Sequence, residues 1–190
     1  MNKINDERKY FLEFLTKNPE EYISRYFSLV ARMKRLSNYD CRSIFDVNSP
    51  VVQYIDDSVG ELASEINAEE INNILWNTFN TEISHLLSCQ ELKEKIKLGQ
   101  ITIHKTNNHI DAILQSEIMP KKFYINQIVN KTEKKIIHAM LLNRLKEYIN
   151  NGGKYLYSWV EENNIASIKF HEKYGMKHDG MWSMIYVIER

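Results

Sequence analysis

The hydrophobic residues change their spacing near residue 100, and this change limits the folds open to the chain. Ile101 and Ile103 alternate with polar residues, as in a half-buried strand, whereas the two segments directly before them, 68–80 and 88–99, follow a helical spacing. Turn signals rich in Asn, Gly and Pro divide the remaining 90 residues into short segments. We predict strands over 101–103, 110–118, 123–129, 155–160 and 181–188, and helices over 133–150 and 165–174.

The order of these elements, β-β-β-α-β-α-β, predicts an α/β (α+β) fold with a mixed, mostly antiparallel central sheet flanked by helices. Strands joined by short turns are expected to pair antiparallel, and the two strands joined through the helix at 133–150 are expected to be parallel. A length of 190 residues suits one domain, or one domain with an extra element.

The N-terminal part of the chain is predicted to be mainly helical. One apolar face runs through 6–17, and Asn18-Pro19 ends that helix. Pro19 suits the first turn of a second helix, which is expected to end near 36–38. Residues 1–60 are thus predicted to be a helical extension packed on a main domain at 61–190, and a separate N-terminal domain is the less favoured alternative.

The segment between the extension and residue 100 holds shorter elements. The β-rich runs within 41–57 fit either a hairpin or two edge strands, and 62–66 is predicted to be a further short strand. Residues 68–80 are predicted to be a helix. Ser88 begins another, because Ser-Cys-Gln-Glu has the spacing of a capping box, and Gly99 ends it.

Charge and composition exclude several classes of function. Lys and Arg together number 25, as do Asp and Glu, so no charge excess indicates a nucleic-acid or membrane partner. No stretch approaches the roughly 18–20 apolar residues of a membrane span, and the N-terminus lacks the apolar core of a signal peptide. Two cysteines and scattered histidines form no metal-ligand spacing, so no metal is predicted. A reducing cytoplasm is the expected compartment.

One segment, 155–176, combines a strand, an Asn, a helix and a Lys-x-Gly-hydrophobic ending. It resembles the C-terminal signature of the GNAT superfamily of N-acetyltransferases, N-x-x-[AS]-x-x-[FL]-[YH]-x-K-x-G-[FM]. The matching residues, all in register, are Asn164, Ser167, Phe170, His171, Lys173, Gly175 and Met176. The resemblance covers roughly 62–190 and implies a GNAT-like sheet in which two neighbouring parallel strands splay apart.

The upstream strand–helix unit resembles the acetyl-CoA pyrophosphate loop of the same superfamily, Q/R-x-x-G-x-G/A. Lys134 takes the Q/R position and Ala139 the final one, while Ile137 stands where the inner glycine is usual and Lys135 lies beside Lys134 in the same loop. Glycines let backbone N–H groups at a helix N-terminus approach a phosphate closely. The loop is therefore degenerate, although Lys131, Lys134 and Lys135 can supply positive charge.

The resemblance implies a site between strands 123–129 and 155–160. A backbone N–H near Val129 would polarise the thioester carbonyl. His171, at the place of the usual Tyr, would act as general acid, and Glu117 is the nearest candidate base. The implied cofactor-binding residues are Ile128, Val129, Lys134, Lys135, Ile137, Ala139, Met140, Asn164, Ser167 and Lys173.

The function implied by the resemblance is transfer of an acetyl group from acetyl-CoA to an amine of a small molecule or peptide. Two alternatives stay open. The chain can be a GNAT-fold binding protein without catalysis, as the missing glycines suggest, or an acyltransferase using a carrier-protein or aminoacyl-tRNA donor. The N-terminal helices can cover the acceptor side, support a homodimer or extend the core.

Overall fold

A computed structural model describes residues 27–81, 84 and 86–188, and these residues form one seven-stranded mixed sheet flanked by helices. The strands are β1 (Phe27–Asn38), β2 (Glu61–Leu62), β3 (Ile101–Thr106), β4 (His109–Met119), β5 (Lys122–Asn130), β6 (Tyr155–Glu161) and β7 (Lys177–Ile188). Their order across the sheet is β2-β3-β4-β5-β6-β1-β7.

Four α-helices are present among the described residues. They are α1 (Ala68–Thr78), α2 (Cys89–Lys97), α3 (Lys134–Asn150) and α4 (Ile165–Glu172). The capping box predicted at Ser88 is confirmed, because the Ser88 side chain accepts from the N–H of Glu91 and the Glu91 carboxylate accepts from the N–H of Ser88. No helix within the described residues is long and apolar enough to cross a membrane.

The succession of strands and helices predicted along the chain after residue 100 is confirmed. β3, β4 and β5 pair antiparallel, and the β3–β4 hairpin turns at Asn107-Asn108, where both residues have positive φ. This conformation suits a two-residue hairpin loop and is one that Asn tolerates. The α3 crossover joins β5 to β6, and these two strands are parallel, as a helical connection requires.

Each face of the sheet has its own apolar core. On one face, α3 and α4 cover inward-pointing residues such as Phe123, Ile125 and Leu156. On the other face, α1 and α2 pack over β3 and β4, with Ile103 and Ile113 fully buried. The α1–α2 layer covers only one half of its face, so the half formed by β6 and β1 has no described helix over it.

The predicted second helix is wrong for residues 27–38, which form β1. This strand lies inside the sheet, with β6 on one side and β7 on the other, so it belongs to the sheet itself. Two register shifts, at Leu29/Ala31 and at Lys34/Leu36, break the strict alternation that would have identified a strand. The helix predicted over 6–17 lies outside the described residues.

The strands predicted within 41–57 are also wrong. The segment instead forms two short 3₁₀ turns, Cys41–Phe45 and Val52–Tyr54, and Cys41, Ile44 and Val51 are buried in the α3–α4 core. Their apolar side chains are therefore explained by packing rather than by strand pairing. The strand predicted at 62–66 is only the two-residue β2, followed by a 3₁₀ turn.

Candidate active site

The parallel strands β5 and β6 separate partway along their length. They pair only from Lys122 opposite Tyr155 to Ile125 opposite Ser158. Beyond that point β5 continues to Asn130 and β6 to Glu161, and neither stretch pairs with the other strand. The predicted splayed pair is confirmed, and the two strands form a V that opens toward their carboxyl ends.

A β-bulge in β5 explains where the strands separate. Gln115 and Ser116 are consecutive in β4, but their partners are Gln127 and Ile125, so Asn126 is the extra residue. A bulge bends its strand and increases the local twist. The bend comes directly after the last residue that pairs with β6. At this apex the Ser158 hydroxyl donates to the Ile125 carbonyl at 2.9 Å.

A cleft of about 900 Å³ occupies the open part of the V and runs from one face of the sheet to the other. On the α3–α4 face its walls include Ile137 and Phe170. On the other face they include Phe79, which follows α1, and Met33 of β1. The gap in the sheet therefore joins two mouths that lie on opposite sides of the molecule.

Positive charge lies on the walls that α3 and α4 contribute. Lys134 is the first residue of α3, and Lys169 and Lys173 come from the end of α4. No side chain caps the N-terminus of α3, and its first turn carries no acidic residue. Helix N-termini and lysines both favour anions, so this mouth suits a phosphate-bearing ligand.

His171 lies in the cleft wall with a defined ring state. Its Nδ1 lies 2.7 Å from the Ser167 carbonyl oxygen, and since that oxygen can only accept, Nδ1 carries the hydrogen. Nε2 is then an acceptor, and it is buried without a hydrogen-bond partner among the described residues. Burial lowers the pKa of His171 to about 4, so the ring is neutral at pH 7.

A second neutral histidine, His138, lines the same cleft one helical turn after Lys134. Its ring stacks between Tyr54 and Phe170 at centroid distances of 4.6 and 4.9 Å. Its Nδ1 lies 2.7 Å from the hydroxyl of the buried Tyr174. Burial is the main cause that lowers the pKa of His138 to about 4, and two nearby lysines add to the effect.

The structure brings seven of the predicted site residues into the cleft wall. These are Ile128, Lys134, Ile137, Asn164, Ser167, His171 and Lys173. Asn164 is also the N-cap of α4, where its side chain accepts from the N–H of Ser167. Asn164 therefore both caps the N-terminus of α4 and lines the cleft.

Five predicted residues do not line the cleft. Glu117, the candidate base, is in an ion pair with Lys95 at 2.6 Å. Lys135 is exposed and pairs with Glu133. Val129 points into the α1–α2 core, and Ala139 and Met140 are buried in α3. Lys135, Ala139 and Met140 lie on other sides of α3 than Lys134. Lys134 shares its face of the helix with Ile137 and His138, three and four residues later.

Sequence reasoning missed several wall residues. Lys169 precedes Lys173 by one helical turn, and His138 follows Lys134 by one, so the i, i+4 spacing could have indicated both. Trp159 and Glu161 follow Tyr157 on one strand face, which alternation could have shown. No sequence signal identifies Ser158, because its role depends on a carbonyl in another strand.

Structures of known proteins share this arrangement of strands and helices. The chain has the GNAT fold. It resembles a GNAT-family acetyltransferase from Colwellia psychrerythraea with a TM-score of 0.56 and 11% identity, covering 92% of this chain and 62% of that protein. A GNAT-family acetyltransferase from Listeria monocytogenes gives a TM-score of 0.54 at 13% identity, over 69% of this chain and 94% of that one.

A third similar structure, the GCN5-related N-acetyltransferase from Sphaerobacter thermophilus, has a TM-score of 0.56 at 12% identity over 88% of this chain and 54% of that one. No family model matches the sequence, and no curated protein matches it. The likeness is thus one of fold. Within the described part of the chain, no group of three or more His, Cys, Asp or Glu side chains could hold a metal ion.

Proposed function

We propose that this protein is an N-acyltransferase that moves an acetyl group from acetyl-CoA to an amine. The observation that carries the proposal is the open V between β5 and β6, with a cleft that crosses the sheet. Two mouths on opposite faces allow a donor and an acceptor to approach one point from different sides. The shared GNAT fold supports the same proposal.

The described residues fit an anionic, elongated donor. Lys134, Lys169 and Lys173 would hold its phosphates at the α3–α4 mouth, beside the uncapped N-terminus of α3. The unpaired edge of β5, residues 126–130, offers backbone groups to an extended arm. The side chain of Ile137, at a position where glycine is usual, limits how closely the backbone can approach a phosphate. The lysines would then have to supply part of the attraction for the phosphates.

The proposed reaction balances with one proton transfer. Acetyl-CoA supplies an activated acyl thioester; a bond forms between the amine nitrogen and the acyl carbon, the carbon–sulfur bond breaks, and one proton moves from nitrogen to sulfur. Nε2 of His171, a buried acceptor without a hydrogen-bond partner among the described residues, would hold that proton in transit. With its pKa near 4, the ring is neutral before the reaction and releases a proton readily once it has taken one up.

Two neighbouring lysines provide a matched test of donor binding. Lys134→Gln removes a charge from the cleft wall, whereas Lys135→Gln removes an exposed charge that pairs with Glu133. We expect Lys134→Gln to weaken acetyl-CoA binding about tenfold in calorimetry, as loss of a charge-assisted contact does. Lys135→Gln should leave it within about twofold. Neither change should unfold α3, because positive charge at a helix N-terminus is unfavourable.

If the wild-type protein does not bind acetyl-CoA at millimolar concentration, the acyltransferase proposal is wrong. The degenerate alternative is supported by Ile137, which replaces a loop glycine. It predicts that acetyl-CoA binds only after the double substitution Lys135→Gly and Ile137→Gly. A signal with a charged carrier but not with free acetyl-CoA would instead favour the carrier-dependent alternative.

A further inference from the structure

The cleft mouth on the α1 side differs in chemistry from the mouth lined by lysines. Tyr124 of β5 and three residues of β6 form what we call the aromatic floor: Tyr124, Tyr155, Tyr157 and Trp159. The rings of Tyr124 and Tyr157 stack at 4.8 Å, and those of Tyr155 and Tyr157 at 5.5 Å. Residues that alternate with them, such as Leu156, point into the opposite core, so the floor faces away from α3 and α4.

The aromatic floor is partly exposed in the part of the chain that the structure describes. Its four side chains are half-buried, and no described helix covers this half of the sheet. Tyr124 and Trp159 also line the cleft, so the floor continues into the gap between the strands. Burial raises the pKa of Tyr124 to about 12, which keeps the phenol neutral at physiological pH. The surface therefore presents apolar rings without charge of their own.

Two of the cations on this face are paired with carboxylates, and the guanidinium of one of them, Arg35, lies 5.9 Å from the centroid of the Trp159 ring. Arg35 binds Asp179 at 2.7 Å, and Lys95 binds Glu117 at 2.6 Å. Lys122 is exposed at the closed end of the strand pair, opposite Tyr155, and it does not line the cleft. The lysines that line the cleft all lie on the α3–α4 side, so a ligand that carries a carboxylate would find no positive side chain among the described cleft-lining residues of this side.

Glu161 is the charged residue at this mouth that has no ion-pair partner among the described residues. It lies on the same strand face as Trp159, two positions further along β6, and opposite Met33 of β1. Its carboxylate is half-buried beside apolar neighbours. Negative charge next to aromatic rings suits a cation, because the ring faces and the carboxylate attract the same group.

We propose that the acceptor is a cationic primary amine on an aromatic or apolar body, without a carboxylate, which binds the aromatic floor and is selected by Glu161. The inference rests on the proposed acyl transfer and names its acceptor class. The bound ammonium first loses one proton to solvent, and the neutral nitrogen then attacks the thioester carbon and gives its second proton to the departing sulfur. The two mouths thus differ in sign: lysines surround the anionic donor on one face, and a carboxylate with rings receives the cationic acceptor on the other. Glu161 is a specificity-determining residue here, acting through charge.

Matched pairs of ligands test this class directly. Tyramine and tryptamine differ from tyrosine and tryptophan by the carboxylate alone. Each is titrated by calorimetry into wild-type protein saturated with CoA, so that binding is read without turnover. We expect both amines to bind at least tenfold more tightly than their amino-acid counterparts. Release of CoA from acetyl-CoA in the presence of each amine is then measured as a second readout.

Two adjacent carboxylates, Glu161 and Glu162, provide a test variant for acceptor binding and its matched control. Glu161→Gln removes the proposed charge, whereas Glu162→Gln removes a carboxylate that contacts Arg32 at 3.5 Å outside the cleft wall. We expect Glu161→Gln to weaken tyramine binding about fivefold, the size of a partly exposed ion pair, with CoA affinity unchanged. Trp159→Leu should weaken it roughly tenfold through lost ring contact. Glu162→Gln should have no effect on tyramine binding.

The outcomes separate this inference from the function on which it rests. If CoA binds but the amino acids bind as well as the amines, or no amine binds, the proposed acceptor class is wrong while the donor site stands. Equal effects of Glu161→Gln and Glu162→Gln would likewise overturn the role of Glu161. If neither CoA nor acetyl-CoA binds, the acyltransferase proposal fails first, and with it the acceptor that it requires.

Discussion

At the scale of single residues, the cleft keeps two histidines uncharged. The pKa values of His138 and His171 are both lowered to about 4 by burial, from an ordinary value of 6.5. Between these pH values the unfolded chain binds a proton at each histidine and the folded chain does not. Stability should therefore fall as the pH drops from about 6.5 toward about 4, by up to about 3 kcal/mol per histidine.

This linkage predicts the effect of removing one ring. His138→Phe keeps an aromatic group between Tyr54 and Phe170 but cannot take up a proton. Its free energy of unfolding, measured with urea between pH 5 and 6, should depend on pH less steeply than that of the wild type, by about 1 kcal/mol per pH unit. The lost contact with Tyr174 lowers stability at every pH and leaves the slope alone.

His109 provides the control for the slope, because it is exposed at the start of β4. His109→Gln should keep the wild-type dependence on pH. Parallel curves for wild type and His138→Phe would show that His138 is protonated equally in the folded and unfolded chain, contrary to this account.

At the scale of elements, the open V depends on how β5 meets its two neighbours. On one side the bulge at Asn126 shifts its register against β4, and on the other its pairing with β6 ends at Ile125. The Ser158 hydroxyl binds the Ile125 carbonyl there, and Ser158 is 2% exposed. A one-residue bulge thus creates the gap, and a side-chain hydrogen bond stabilises its apex.

Ser158→Ala tests the apex. The substitution removes the donor from a buried carbonyl, so we expect the free energy of unfolding to fall by about 1–2 kcal/mol in urea titrations. Ser183→Ala, at an exposed position of β7, should change it by less than about 0.5 kcal/mol. Equal losses at the two positions would mean that the bond to Ile125 contributes no net stability.

At the scale of the whole molecule, β1 joins β7 to the rest of the sheet. It pairs with β6 from Met33 opposite Glu161 to Asn38 opposite Leu156, and it separates β6 from β7. β7 has no other strand neighbour among the described residues. Removing β1 would leave an unpaired strand and expose the core around Leu36, which is 2% exposed.

A chain that begins at Tyr39 should therefore fail to fold cooperatively. We expect it to lack the single sigmoidal thermal transition of the intact chain in circular dichroism. The milder variant Leu36→Ala, made in the intact chain, should retain a transition while losing about 2–5 kcal/mol of stability. A cooperative transition in the shortened chain, with the denaturant dependence of the intact one, would contradict the place of β1 in a single sheet.

The helix and strand order after residue 100 could be predicted because each element there carries its own local signals. The capping box at Ser88 and the Asn107-Asn108 turn act within a few residues, and the structure confirms both. Lys134 and Lys173 could be placed in the site because the spacing of a known superfamily signature fixes their register. β1 could not be predicted as a strand, because its bulges disturb the alternation of apolar and polar residues by which a strand is identified in a sequence.

The sequence by itself determined the local conformations from α1 onward: which segments are helices, and where α2 and α4 begin. Only the tertiary structure decided the strand order around β1, the gap after Ile125 and the two differing mouths of the cleft. The physical reason is distance along the chain. An extra residue is a bulge only relative to its partner strand, and Met33 meets Glu161 only when the whole sheet has formed.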